Sequence, residues 1–201
     1  MIIRQLCYGE LDNFTYVIGC EKTKEGLVID PYGPVDRIVG EAESAGLEVR
    51  TIFNTHHHND HTAGNGELKS ITGATIARHE LDSKGDGSVD RRLRDGDELS
   101  VGAISFRVIH TPGHTRGGSC LFAEGQLFTG DTLFVGDSGR TDLPGGHRPT
   151  LGTSIRERLM TLPDETVVWP GHDLGTTKSS TIAWEKRNNC NAKEYGYYSE
   201  D

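Results

Sequence analysis

Residues 55–61 read THHHNDH, and taken from His56 the stretch has the form H-x-H-x-D-H, with His57 and Asn59 as spacers. It follows LEVRTIFNT, a run rich in β-formers, so the cluster sits where a strand ends. Strand alternation puts His56, His58 and Asp60 on one side, and a turn at Asn59–Asp60 swings His61 round to join them. Setting such groups side by side is costly unless something positive binds them, so the cluster reads as a metal site. Imidazole together with carboxylate suits zinc, iron or manganese rather than calcium or magnesium.

Three later residues follow strand-like runs and stand beside a glycine that lets the backbone turn tightly: His114 in TPGHT, Asp131 in TGDT and His172 in PGHD. Ligands at successive strand ends converge on one rim. Around them, MIIRQLCYG, FTYVIGC and GLVIDPYG read as three short strands, and VDRIVGEAESAG as a helix that closes at Gly46. A second helix begins around Gly64–Leu68 and is followed by a strand at ATIARH. The Gly/Asp-rich SKGDGSVDRRLRDGDE reads as a surface excursion. LSVGAISFRVIHTP is again strand-like, and SCLFAEGQLFTGD forms a hairpin turning at Glu124–Gly125. LGTSIRERLMTL lays Leu151, Ile155, Leu159 and Leu162 on one helix face, ETVVWPGH is a last strand, and the tail from Lys178 holds a short helix, SSTIAWEKRNN, and a Tyr-rich end. This mixed order fits two sheets between outer helices better than a regular βαβ winding.

Composition bounds the rest. A chain of 201 residues, 34% hydrophobic and 25% charged, makes one ordinary core. A net charge of −9 with no Lys/Arg block argues against nucleic acid as a partner. No run approaches the roughly 18 apolar residues of a membrane span, and MIIRQLCYGELDNF lacks a signal peptide's apolar run, so the expectation is a cytoplasmic chain with no membrane partner. Cys7, Cys20, Cys120 and Cys190 lie far apart in no CxxC spacing; the first three adjoin apolar strand-like sequence, where buried reduced thiols are expected. GxSxG, GxGxxG and P-loop patterns are absent.

The full pattern, H-x-H-x-D-H, then His, Asp and His in order, resembles the metallo-β-lactamase superfamily across nearly the whole chain. The resemblance implies an α+β fold, the αββα sandwich, as a single domain over residues 1–201, with a metal site at one edge. It implies that His56, His58 and His114 hold one ion, that Asp60, His61 and His172 hold a second, and that Asp131 bridges them. VIDPYG, TPGHTRGG, LFTGDTLFVGDSGRTDLPGG and VVWPGHD look like the glyoxalase II and persulfide dioxygenase branch, with GRTD at Gly139–Asp142 the most branch-specific piece.

Two activities follow from that branch. As a hydrolase, the protein would use two divalent ions, zinc first and iron or manganese as alternatives, to supply a hydroxide that attacks a thioester such as a hydroxyacylglutathione. Asp60 would then also orient the hydroxide or accept its proton. As a persulfide dioxygenase, it would bind a single Fe(II) on His56, His114 and Asp131 and oxidise glutathione persulfide. The PGG after GRTDL and the PGHD near the end look more like the hydrolases. Glyoxalase II proper carries a C-terminal helical domain that supplies residues for glutathione; this chain ends shortly after His172, so no such domain is expected, and glutathione and CoA thioesters are expected to turn over comparably. Arg140, Arg116 and Lys178 are candidate contacts for a small-molecule substrate, Asp30 is expected to orient a metal-bound histidine, and Asp142 to pair with Arg140 and brace the loop beside Asp131. His57, His79, His110 and His147 have no motif partner, and the oligomeric state is left open.

Overall fold

The alternation of the strands explains how both of their faces come to be buried. On β2 (Asn13–Gly19), Tyr16 and Ile18 enter a core shared with a second sheet, while Val17 between them faces a core shared with a helix. The computed structural model describes residues 1–196, and the Tyr-rich end beyond Gly196 lies outside them. The first sheet runs β1 (Ile2–Tyr8), β2, β3 (Glu25–Ile29), β4 (Glu48–Asn54), β5 (Thr75–His79) and β6 (Arg91–Leu93) in sequence order. The pairs β1/β2 and β2/β3 are antiparallel, and β3 through β6 are parallel. The crossovers into β4 and β5 run through α1 (Val35–Ser44) and α3 (Asn65–Thr72), and the one into β6 through residues 80–90, which hold no helix.

The second sheet contains β7 (Glu98–Val101), β8 (Ile104–His110), β9 (Ser119–Ala123), β10 (Gln126–Gly130), β13 (Val167–Pro170) and β14 (Ser180–Thr181), in spatial order 14-13-10-9-8-7. A small hairpin, β11 (Leu133–Phe134) and β12 (Asp137–Ser138), follows β10. Phe14, Tyr16, Phe53, Phe106, Leu121 and Phe128 fill the space between the sheets. Ile38, Ala42 and Leu68 pack α1 and α3 on the first sheet, and Leu151 and Ile182 pack α4 (Arg148–Ser154) and α5 (Ile182–Asn188) on the second, with Ile155 just past α4 beside them. The result is the α+β sandwich, two sheets face to face with helices outside.

Several local readings shift. The excursion after Ser83 carries β6, an edge strand whose Leu93 is buried in the central core while Arg91 and Arg92 face out. The helix expected from Leu151 begins at Arg148, with Pro149 in its first turn, and runs into a π turn at Ile155–Leu159. The His61 segment is not a strand plus a turn: β4 stops at Asn54, and Asn59–Thr62 forms a short helix, α2. Only Cys20 and Cys120 are buried, because Cys7 lies on the half-exposed edge strand β1; Cys190 is exposed. Glu124 and Gly125 both take positive φ, 49° and 74°, as a two-residue hairpin turn requires. Among the described residues no helix is long and apolar enough to cross a membrane.

Candidate metal centre

Strands β3 and β4 of one sheet and β8, β10 and β13 of the other end at the same edge of the sandwich, and each hands over a polar residue shortly past its last rung. Asp30 follows β3, Thr55–His58 follow β4, His114 follows β8, Asp131 follows β10 and His172 follows β13. A backbone hydrogen bond of 2.8 Å from Phe14 N to Gly171 O ties the start of β2 to the His172 turn, so the two sheets meet at this edge.

Seven donor side chains converge there. His56, His58 and His114 offer ring nitrogens that all lie within 4.8 Å of one another, and so do the donor atoms of Asp60, His61 and His172. Asp131 lies between the two sets, with Oδ1 3.4 Å from His61 Nε2 and Oδ2 3.6 Å from His114 Nε2 and 3.3 Å from His172 Nε2. The motif thus names residues from both sheets and four different connections that the fold assembles in one place.

Hydrogen bonds on the far side of each ring fix which nitrogen faces inward. His61 Nδ1 donates to Asp30 Oδ2 at 3.0 Å, His172 Nδ1 to the Leu11 carbonyl at 2.8 Å and His114 Nδ1 to the Arg140 carbonyl at 2.7 Å. Thr55 Oγ1 donates to Asp30 Oδ2 and is left to accept from His56 Nδ1 at 3.0 Å. The Nε2 lone pairs of these four rings therefore point at the centre, while His58 is reversed and presents Nδ1, 3.0 Å from His114 Nε2. His61 Nε2 likewise faces His172 Nε2 at 3.2 Å. Asp60 Oδ2 is held by the Asn13 side-chain amide at 3.0 Å and aims at His61 and His172.

Two observations test whether these residues fit a metal. The buried atoms His56 Nε2 and Asp131 Oδ1 have no hydrogen-bond partner, a costly arrangement that a cation among the donors removes. Paired acceptor nitrogens about 3 Å apart also repel unless a proton or a cation lies between them. Burial, reinforced by neighbouring imidazoles, pushes His56 well below its ordinary pKa and His58 down to about 4, which keeps both neutral and ready to bind. Burial would also lower His61, but Asp131 and Asp30 outweigh it and raise the ring to about 9; without a metal, this is where a proton stands in. Asp131 is held far below the carboxylate range despite burial, with His61 the largest opposing influence. Charge and geometry together fit divalent ions held by nitrogen and carboxylate oxygen.

Above the donors opens a cleft of about 720 Å³. Arg140 lines it, but its guanidinium is bound at both ends to Asp142, Nε to Oδ1 and Nη2 to Oδ2, each at 2.7 Å. Arg116 lies instead in a neighbouring hollow with His110 and His147, and Lys178 lines neither; its carbonyl accepts from Gln5 on β1. The motif does not reveal Asn13 or Asp82. Asp82 accepts from His57 Nδ1 at 3.0 Å, Thr115 Oγ1 at 2.7 Å and Gly117 N at 2.6 Å, so His57 does have a partner. His79 and His110 stack at 4.0 Å, away from the donors.

The fold and the donor set define a metal-binding enzyme of the lactamase type. The sequence matches the metallo-beta-lactamase superfamily over residues 8–172, and the chain belongs to that superfamily. A hydroxyacylglutathione hydrolase of Polaromonas sp. is 36% identical over 194 residues, which span 94% of this chain and 73% of that one. The mitochondrial persulfide dioxygenase ETHE1 of Homo sapiens is 30% identical over 194 residues, 94% of this chain and 75% of its own. The crystal structure of ETHE1 from Myxococcus xanthus superposes with a TM-score of 0.90 at 38% identity, covering 97% of this chain and 88% of that one. These relatives place the chain in the branch that contains both glyoxalase II and ETHE1 proteins.

Proposed function

We propose that the protein is a binuclear metal-dependent hydrolase of thioesters, with hydroxyacylglutathiones as the reference substrate. The observation that carries this reading is the completeness of the second donor set: Asp60, His61 and His172 converge as closely as His56, His58 and His114, and the two oxygens of Asp131 face both. Asn13 tethers Asp60 and turns it toward His61 and His172, where it would share in holding a second ion.

When bound, two divalent ions, zinc first with iron or manganese as alternatives, supply a hydroxide at neutral pH and a positive seat for the oxygen of the attacked carbonyl. His56, His58 and His114 would hold one, Asp60, His61 and His172 the other, and Asp131 both. Asp60 Oδ2 faces the cleft side of the second set, where it can orient the nucleophile and take up its proton. Leu11, Phe134 and Leu174 wall the cleft and displace water from the reacting carbonyl.

The oxygenase reading, one Fe(II) on His56, His114 and Asp131, is favoured by the likeness to ETHE1 proteins. The two readings separate in one preparation, purified without added metal and assayed for metal content, for hydrolysis of S-lactoylglutathione and for O₂ uptake with glutathione persulfide. Two ions per chain with hydrolysis and no O₂ uptake is the expected result. One iron per chain with O₂ consumption and no hydrolysis would overturn it.

A further inference from the structure

The wall of the cleft is divided by chemistry. Leu11 is 59% exposed and Leu174 62%, two of only four large apolar side chains so exposed among the described residues, and both line the mouth of this cleft beside Phe134 and Leu143. Apolar surface left to water at the entrance of a site gains most when a ligand's hydrocarbon covers it. Apart from the metal donors, the charged groups on the wall are Glu10, Asp12, Asp137 and Arg140. Arg140 is neutralised by Asp142, and Arg148, which reaches Ser138 from behind, is paired with Glu194. Three acidic residues thus line the cleft, Asp137 with its Oδ1 held by Ser138 N and Asn191 Nδ2, and no free cation lines it among the described residues.

Resting on the hydrolytic reading above, we propose that the cleft selects thioesters with an apolar acyl group and a thiol half that carries no net negative charge. An anionic carrier would bring its charges against Glu10 and Asp12, both exposed at the mouth, where the repulsion is largest at low salt. A neutral or cationic carrier meets no such barrier, and its acyl chain lies along Leu11, Phe134, Leu143 and Leu174 toward the donors. Glutathione thioesters then rank below uncharged ones, and CoA thioesters, with several negative charges, below both. This departs from the comparable glutathione and CoA turnover expected from the sequence, and it makes hydroxyacylglutathiones, polar in the acyl group and anionic in the carrier, slower substrates of the same hydrolase.

The test holds the acyl group constant and changes the carrier's charge. The two-metal protein is assayed at low salt with butyrylthiocholine, S-butyryl-N-acetylcysteamine, S-butyrylglutathione and butyryl-CoA. The expected kcat/KM falls in that order, by about tenfold or more from the first to the third, and the spread shrinks as salt is raised. Glu10→Gln with Asp12→Asn should narrow the spread by raising the two anionic substrates; Asn suits Asp12, whose φ is 51°. Along acetyl, butyryl and hexanoyl N-acetylcysteamine, kcat/KM should rise by up to about fourfold per methylene. Glutathione or CoA thioesters equal to or better than the neutral one, a spread untouched by the double variant, or a flat acyl series overturns the proposal. Hydrolysis of S-lactoylglutathione but of none of the four by protein holding two ions overturns the substrate proposal alone; hydrolysis of none of the five refutes the hydrolytic reading, and the substrate proposal falls with it.

Discussion

Asp82 ties together the two loops that carry His58 and His114. Its side chain is 2% exposed, and its two oxygens receive His57, Thr115 and Gly117, residues immediately beside the donors. The approach is so close that only glycine fits at position 117, where a Cβ would lie 2.6 Å from Asp82 N. Asp82→Asn turns an amide N–H toward donors that now find an acceptor, which costs about 1–3 kcal/mol. Urea unfolding in chelator at pH 7 should show that loss, and competition with a chelator should show one ion bound more weakly than the other, because only the His56/His58/His114 set is loosened. Burial pushes the Asp82 carboxyl up, but the bonds from His57 and Thr115 outweigh it and hold it below its ordinary value. A depressed folded pKa means the stabilisation is complete above the unfolded value of about 3.9 and is lost as pH falls through the folded one. The gap between wild type and Asp82→Asn should therefore be full at pH 7 and close below about pH 4; a gap that persists or widens in acid would contradict the role.

At the scale of elements, the tail helix α5 has a function its sequence does not announce. Glu185 on α5 is fully buried and accepts from Ser180 Oγ at 2.5 Å, Asn189 Nδ2 at 2.7 Å and Gly136 N at 3.1 Å. Gly136 is the turn between β11 and β12, whose Phe134, Asp137 and Ser138 line the cleft, so α5 buttresses one wall. Glu185→Gln replaces one of the two acceptor oxygens by an amide N–H group, which then faces Ser180 or the Asn189 and Gly136 donors, and should lower the melting temperature, at a cost of about 1–3 kcal/mol, while both ions are retained. Calorimetry with metal analysis on one sample checks this, and an unchanged melting point would remove the buttress. The strands and the 124–125 hairpin are legible because alternation and turn chemistry are local. The strand β6 is not, since only Leu93 of its three residues is buried and Arg91 and Arg92 read as surface. The donors are legible because few residue types can hold such a metal. Their supports are not: Asn13 reaches Asp60 across 47 residues and Asp82 reaches Thr115 across 33, and nothing in an Asn or Asp alone foretells that meeting.

On the scale of the whole molecule, the fold and the metal centre are separable. The three cores are built of residues from the sheets and outer helices, and none of the seven donors belongs to them. Metal removal leaves Asp30, Asp60 and Asp131 close together in a chain of net charge −9, yet His61, raised to about 9, takes a proton and offsets part of that charge at neutral pH. The metal-free protein should therefore stay folded but be less stable. A ligand at a hundred times its dissociation constant adds about 2.7 kcal/mol, which for a domain of this size is a shift of about 5–10 °C. Far-UV circular dichroism should be unchanged after treatment with chelator, the melting temperature should drop by that amount, and adding zinc back should restore it. If removing metal abolished the β signal, the centre would be part of the folding core, and the separation of scaffold from site drawn from the three clusters would be wrong.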